Sequence, residues 1–578
     1  MKVIINGKEY SVGKNDTVLE ACRKANINIP TLCHSDMLTP AATCRICTVE
    51  ANGKMVASCV QPVTDGMEIK TNTSRVMDAR MINLQLLMAG HDDCTSCGKN
   101  RKCDLQRIAE EMGVRDRWFT TDEPYTVDMT SLSIVRDTSK CILCGKCVRT
   151  CREIQTVEAL AFADRSVHTK LVAGADQGMG ESVCINCGQC ILACPTGALS
   201  EVDETGKVWD ALNDPNKFVG VQTAPAIRAA IGEEFGLPAG SRVTGKMVAA
   251  LRRVGFNKVF DTDFTADLTI LEEGTELLGR IKNGGKLPMF TSCSPGWIKF
   301  IETFYPDLLE NLSTCKSPQQ MFGALAKTYL AEKLKVKPEN MFVVSIMPCT
   351  AKKFECGREE MTDSGYPDVD VVLTTREAAR LIKQVGVDFV NLPDEQFDHP
   401  LGESTGAAVI FGATGGVMEA ALRTVYEVVT KSTLPSLDFV ETRGMKGVKE
   451  ATVMVGDLPV KVAIANGTGN ARKILDRVRA GKADYHFVEI MACPGGCLGG
   501  GGQPIPTNLE IREKRMAAIY EEDANMELRK SHENPYVAKL YKEFLGEPNS
   551  HKAHELLHTH YLDRKTGEKK VHGGHKHD

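Results

Sequence analysis

The pattern of apolar and polar positions changes once along the chain. Over the first 75 or so residues, short alternating segments broken by turns predict strands and one helix, Val18 to Lys24. The opening run MKVIINGKEYSV alternates like an edge strand and has no h-region of a signal peptide. From about residue 215 onward, apolar strand-like runs alternate with amphipathic helices, which predicts an α/β architecture. Three of these runs, KLPMFTSC, FVVSIMPC and YHFVEIMAC, end in Cys293, Cys349 and Cys493, and Cys497 follows in CPGGC. Ligands of parallel α/β sheets gather at the carboxyl ends of strands. Three strand ends carrying thiolates therefore predict one shared metal site in a buried crevice. A helix is predicted over Asp267 to Ile281, placing Glu273 and Glu276 on one face. Taken alone, such a pair reads as a solvated face.

Composition sharpens this. At 578 residues the chain exceeds one core, and its net charge of −5 leaves no basic footprint for nucleic acid. No apolar run is long enough to span a bilayer. The 22 cysteines, at metal-like x2 spacings and without an export signal, predict reduced thiolates on metal in a cytoplasm.

Cys141, Cys144, Cys147 and Cys151 form C-x2-C-x2-C-x3-C, and Cys184, Cys187, Cys190 and Cys194 repeat it. The pair resembles two-cluster 4Fe–4S ferredoxins, in which the fourth cysteine of each run serves the other cluster. That implies one set of Cys141, Cys144, Cys147 and Cys194, and another of Cys184, Cys187, Cys190 and Cys151. Cys33, Cys44, Cys47 and Cys59 resemble the 2Fe–2S domain at the front of respiratory complex I's large iron–sulfur subunit and of hydrogenases. Structural zinc is the alternative for such a group. His91, Cys94, Cys97 and Cys103 resemble the 4Fe–4S motif of the same families with one histidine ligand, with two residues rather than three after the histidine. Cys22 fits no spacing and is expected to be a buried structural thiol; the same is expected of Cys356.

TSCSPGW (291–297), MPCTAKKFE (347–355) and EIMACPGGCLGGGGQP (489–504) resemble the signature segments of the FeFe-hydrogenases, and the likeness extends over the whole chain. The resemblance implies a multidomain α+β and α/β fold: a β-grasp 2Fe–2S domain (1–76), a histidine-ligated 4Fe–4S domain (77–120), a two-cluster ferredoxin domain (131–205), a two-lobed catalytic domain with parallel sheets (215–520), and C-terminal helices with a polar tail (521–578). It implies a 4Fe–4S cubane held by Cys349, Cys493 and Cys497, with Cys497 bridging to a di-iron unit carrying CO, cyanide and an azadithiolate. Lys352 would hydrogen-bond a cyanide, Met347 and Met491 would pack on the diatomic ligands, and Phe411, Gly412 and Pro225 would line the pocket. Protons would pass from Cys293 through Glu273 and Ser313 to Glu276 and Arg280. Cys293 is expected near an unperturbed thiol pKa, able to give and take a proton near neutrality. The run Gly499 to Gly502 would allow close backbone approach to the cluster; as a phosphate loop it lacks the following Lys-Ser/Thr.

One position departs from the family pattern. Where the fourth cubane cysteine stands, this chain has Ser294, a harder donor. Either Ser294 ligates through oxygen, or Cys293 does, or Cys315 in STCKSPQQ reaches in; the third is the preferred expectation. HTHYLDR near the C-terminus resembles the catalytic subunits of multimeric NAD(P)-linked hydrogenases. No GxGxxG stands between a strand and a helix, so any pyridine nucleotide belongs to a flavin-bearing partner subunit, with soluble ferredoxin as the alternative partner. Maturation proteins would insert the di-iron unit. The function implied is reversible H2 oxidation and proton reduction. The rivals are a hydrogenase-like redox sensor and a complex-I-like electron carrier. Seven of the 13 histidines follow residue 550, where a solvated tail is expected over a metal site.

Overall fold

In the computed structural model the described residues are 1–566 apart from 92, 93 and 96, together with the backbone of 569–570. The chain forms two compact units, residues 1–184 with 189–200, and residues 185–188 with 201–578. Among the described residues no helix is long and apolar enough to cross a membrane.

The first unit opens with a five-stranded mixed sheet of β1 (Lys2–Ile5), β2 (Lys8–Ser11), β3 (Thr48–Ala51), β4 (Lys54–Ala57) and β5 (Met67–Lys70), ordered β2-β1-β5-β3-β4. The predicted helix is α1 (Val18–Lys24); Thr17 and Glu20 close a capping box at its start, and Val18, Leu19, Ala21 and Cys22 are buried against the sheet core. The opening run is a hairpin rather than one edge strand. Asn6 and Gly7 both take positive φ (49° and 83°), the two-residue turn that Asn-Gly favours, so β1 lies inside the sheet and β2 forms the edge. Helix α2 (Ser74–Met88) follows, and Arg80 Nε donates to Thr48 O (2.9 Å), fastening it to β3.

The second unit carries two four-stranded sheets. In one, β6 (Phe218–Thr223), β7 (Lys258–Asp261), β9 (Met341–Met347) and β10 (Val371–Thr374) are all parallel, ordered β7-β6-β9-β10. In the other, β8 (Met289–Phe290), β11 (Val448–Val455), β12 (Leu458–Asn466) and β13 (Phe487–Met491) are ordered β8-β13-β12-β11, parallel except for the β11–β12 hairpin. Burial on both faces explains their continuous apolar runs. The predicted helix 267–281 is the middle of α3 (Asp263–Asn283), and α4 (Pro295–Phe304) starts with a proline in its first turn directly after Ser294. The C-terminal segment supplies α5 (Leu509–Asn525) and α6 (His551–Leu557).

Candidate metal centres and proton route

Four groups of thiols can be placed. In the first unit Cys33, Cys44, Cys47 and Cys59 are all buried, and their free thiols converge: that of Cys33 is within hydrogen-bonding reach of Cys44 and Cys59, and that of Cys47 within reach of Cys59. Cys141, Cys144 and Cys147 line one cavity together with Cys194 from the second run. Arg149, which the sequence reading did not single out, ties these two loops together. Its buried guanidinium donates to Cys33 O (2.7 Å) and Cys144 O (3.4 Å). His91, Cys94, Cys97 and Cys103 sit around the loop that precedes the helix Asp104–Glu111, with Cys103 at its N-cap; Asp92, Asp93 and Ser96 lie outside the described residues. Cys22 is fully buried and its thiol is pushed up to about 11 by burial. Cys356 donates to Val369 O (2.9 Å).

In the second unit the strand ends bring the other cysteines together. Cys349 follows β9, Cys493 follows β13, Cys293 follows β8, and Cys497 sits on the turn after Cys493. Burial and the neighbouring Cys349 push Cys497 up to about 12. The glycine run packs these loops at backbone contact. A Cβ at Gly499 would stand 2.1 Å from Pro494 O, one at Gly500 2.1 Å from Pro348 O, and one at Gly501 2.4 Å from Cys187 O. The run thus lets three cysteine-bearing loops approach one another. Gly500→Ala is expected to destabilise the protein by at least about 1–3 kcal/mol and to lower the iron content of the catalytic unit, read by thermal melting and metal analysis. Cys187 itself belongs to this unit. Thr350 Oγ1 donates to Asn186 O (2.6 Å), and Cys493 Sγ lies 3.9 Å from Cys187 O.

Lys352 Nζ donates to Cys293 O (3.1 Å) and to Glu355 Oε2 (2.9 Å), and Glu355 also accepts from Ser317 Oγ and Gln319 Nε2. Met347 and Met491 are buried at the ends of β9 and β13, and Phe411 and Cys293 pack in the apolar cluster that holds Met491. A Cβ at Gly412 would meet Ala226 N at 3.3 Å, so the turn after Pro225 lies against it. Ser294 Oγ accepts from Ala492 N (3.2 Å), one residue from Cys493. Cys315 points elsewhere. Its sulfur lies 4.0 Å from Glu276 Oε2, and the charges acting on it are Glu276, Glu273 and Glu272, whereas Cys497 feels Cys349 and Lys352. The expectation that Cys315 completes the cubane is therefore withdrawn.

A chain of polar groups leads away from Cys293. Ser313 Oγ donates to Glu276 Oε2 (2.8 Å), and Arg280 Nη2 donates to Glu276 Oε1 (2.6 Å). Burial, with Glu276 second, pushes Glu273 up to about 8; the Ser313 hydroxyl and the Ser292 backbone N–H partly offset this. Glu273 Oε1 is buried without a hydrogen bond. Cys293 is raised well above an ordinary thiol, first by burial and then by Glu273, a shift that favours its protonated form over the near-neutral titration expected. The group balanced near neutrality is Glu273.

Behind this chain stands a network absent from the sequence reading. His558 Nε2 meets Glu272 Oε2 (3.1 Å), Tyr541 Oη donates to Glu272 Oε1 (2.5 Å), and Thr314 Oγ1 meets His558 Nδ1 (2.7 Å). His558 is 4% exposed, so the solvated-tail expectation fails for it; residues 571–578 lie outside the described residues.

A cubane fits this pocket: soft donors on strand ends, a loop that only glycines allow to approach, and a lysine beside the thiols. Comparison with known proteins agrees. Residues 217–501 match the family iron only hydrogenase large subunit, C-terminal domain, and 509–564 match iron hydrogenase small subunit, a stretch that begins before the expected C-terminal boundary at 521. Residues 1–74 match a 2Fe-2S iron-sulfur cluster binding domain, 80–117 the NADH-ubiquinone oxidoreductase-G iron-sulfur binding region, and 140–198 a 4Fe-4S dicluster domain. The chain is 50% identical to NADP-reducing hydrogenase subunit HndD of Solidesulfovibrio fructosivorans, over 98% of this chain and 99% of that one. It is 41% identical to iron hydrogenase 1 of Clostridium pasteurianum, over 97% and 99%. A solved structure of FeFe-hydrogenase HydA1 from Chlamydomonas reinhardtii superimposes with a TM-score of 0.56 at 45% identity, covering 63% of this chain and 99% of that one. Strand-end thiolates, a titratable chain leading from them and likeness along the whole length together place the protein among the FeFe-hydrogenases, as a large subunit with N-terminal iron–sulfur domains.

Proposed function

We propose that this hydrogenase couples H2 to NADP(H) through a flavin-bearing partner subunit, with its N-terminal clusters as the electron exit. What supports this is the 50% identity to the NADP-reducing hydrogenase subunit, which covers nearly all of both chains. The accessory set is one 2Fe–2S cluster on Cys33, Cys44, Cys47 and Cys59, and three 4Fe–4S clusters. These are held by His91, Cys94, Cys97 and Cys103; by Cys141, Cys144, Cys147 and Cys194; and by Cys184, Cys187, Cys190 and Cys151. Cys349, Cys493 and Cys497 hold the catalytic cubane, with Ser294 Oγ as its fourth donor. The di-iron unit, with its CO, cyanide and azadithiolate ligands, supplies H–H bond cleavage and formation when bound, and maturation proteins insert it. The setting is cytoplasmic.

This chain's own residues manage the proton. Lys352 orients the Cys293 loop through its carbonyl and offers an ammonium to the pocket. Cys293 presents a protonated thiol, Glu273 exchanges its proton near pH 8, and Ser313 passes it to Glu276, whose charge Arg280 holds near the surface. Met347, Met491, Phe411, Gly412 and Pro225 keep the pocket dry. A pure electron carrier has no use for such a proton route, and the retention of Cys293, Glu273 and Glu276 argues against a sensor with a weakened site.

The test is an anaerobic infrared spectrum of the matured protein under H2 and then CO, followed by NADP+ reduction under H2 with and without its reductase partner. Metal-bound CO and cyanide bands that shift with gas, with NADPH formed only when the partner is present, are expected. Absence of the bands with accessory clusters intact refutes the enzyme centre. Bands without partner-dependent NADPH refute the NADP coupling and leave ferredoxin as acceptor.

A further inference from the structure

Three potential metal ligands meet beside the proton chain. One oxygen of Glu276, the Cys315 sulfur and one nitrogen of the His558 ring all lie within 4.8 Å of one another, and Cys315 and His558 are buried. The three come from well-separated parts of the chain: α3, the loop after Leu312, and the residue after α6. An isolated β-bridge between Cys315 and His558 holds two of them together.

The two oxygens of Glu276 are divided. Oε1 takes both Arg280 contacts, at 3.1 and 2.6 Å. Oε2 faces Ser313, Thr314 and the Cys315 sulfur. Arg280 thus holds Oε1, and a cation at Oε2 would replace the neutral Ser313, Thr314 and Cys315 donors that face it now.

His558 is set up in the way metal-bound histidines are. Glu272 Oε2 accepts from the ring at Nε2 (3.1 Å), and Glu272 is itself fixed by the Tyr541 hydroxyl and the Asn549 N–H. A carboxylate on one ring nitrogen fixes the tautomer and aims the lone pair of the other outward. Here the other nitrogen is Nδ1, which meets Thr314 Oγ1 on the side of Glu276. The field favours a dication: Glu272, Glu273 and Glu276 surround the site, against Arg280 alone among the arginines and lysines bonded to these three carboxylates. Access also exists. The Glu276 side chain is 12% exposed, and surface-lying His554 stacks on His558 at 4.2 Å between centroids.

We propose that Glu276 Oε2, Cys315 Sγ and His558 Nδ1 form a second, inhibitory metal site for a zinc-class dication, and that its occupation closes the proton route at Glu276. Mixed sulfur, nitrogen and oxygen donors suit Zn2+, whose bonds of about 2.0–2.3 Å require these atoms to draw together by roughly 1 Å, and Cys315 releases its thiol proton to solvent as the zinc–sulfur bond forms. Water or the Thr314 hydroxyl completes the tetrahedron. A metal on Oε2 displaces the Ser313 hydroxyl from the oxygen to which it now donates, and so breaks the relay. Only this last consequence rests on the proton route proposed above; the site itself does not.

The test is zinc(II) alone, added anaerobically to the whole matured protein, with two readouts. Zinc K-edge X-ray absorption, which the protein's iron does not obscure, reads the ligands. One sulfur at about 2.3 Å with nitrogen or oxygen at about 2.0–2.2 Å is expected, with the sulfur lost in Cys315→Ala and in the volume-conserving Cys315→Ser. Viologen-linked hydrogen turnover reads the consequence: zinc inhibits the unmodified protein, and both variants raise the half-inhibiting concentration by about tenfold or more. A zinc spectrum without sulfur, or with sulfur that survives both variants, overturns the site. A Cys315-dependent zinc–sulfur bond without inhibition upholds the site and overturns its hold on the proton route.

Discussion

Replacing Glu273 by glutamine lowers hydrogen turnover by about 10²- to 10⁴-fold, the range a positioned proton-transfer group supplies. Electron delivery to the accessory clusters is unaffected. Glutamine keeps the shape of the buried side chain but removes the titrating proton between Cys293 and Ser313. Rapid reduction of the clusters by a chemical donor, alongside lost turnover in both directions, is the expected signature. Turnover within a factor of a few of the original enzyme sinks the relay. A second readout follows from the sign of the shift. Burial raises Glu273 in the folded protein to about 8, so the folded state binds the proton more tightly than the unfolded one. Below the unfolded carboxylate pKa, both states are protonated and the residue is neutral in its effect. As pH rises from about 4.5 through 8, stability is lost as a buried charge is forced, to a total on the order of 5 kcal/mol. Glu273→Gln should therefore melt above the original protein at pH 9, by a margin that shrinks towards pH 5. A constant margin contradicts the raised pKa.

What the sequence made legible was spacing and period. The helix at Val18–Lys24 and the strand ends at Cys349 and Cys493 follow from apolar periodicity and appear where expected. The Asn6-Gly7 turn was readable too, because that dipeptide carries its own φ requirement; overlooking it turned a hairpin into a single strand. Side-chain direction was not readable. Cys315 lies two residues from Ser313, in a segment expected to reach the cubane, yet that segment turns so that the sulfur faces Glu276. The segment is held there by a bridge to His558 and by Ser292 Oγ on the Cys315 carbonyl, contacts from distant parts of the chain. The same packing buries a histidine from a stretch whose composition reads as solvated. The pKa of Cys293 escaped for a similar reason: its burial belongs to the crevice and not to the motif.

With Cys315 turned away, the Ser294 change acquires a definite consequence. Ser294 Oγ stands beside Cys493, accepting from Ala492 N at 3.2 Å, so the oxygen lies at the edge of the thiolate pocket. An alkoxide is a poorer partner for an iron–sulfur cubane than a thiolate, because soft iron–sulfur centres prefer soft donors. On the ligand set proposed above, the cubane would be held by three thiolates and one weaker oxygen donor. Ser294→Cys is expected to slow iron loss from the catalytic unit to a chelator by at least about 10- to 100-fold, no less than the effect of a mere outer-shell partner on metal affinity. The accessory clusters, whose proposed ligands the substitution does not touch, are expected to lose iron at an unchanged rate and serve as the internal control. Ser294→Ala moves the other way and loses the cubane faster than the original chain. If serine and alanine lose iron alike, Ser294 is not a ligand, and the fourth position falls to Cys293. Cys293→Ala would then strip the cubane as well as the proton route, whereas a relay-only Cys293 would leave iron content unchanged while turnover collapses.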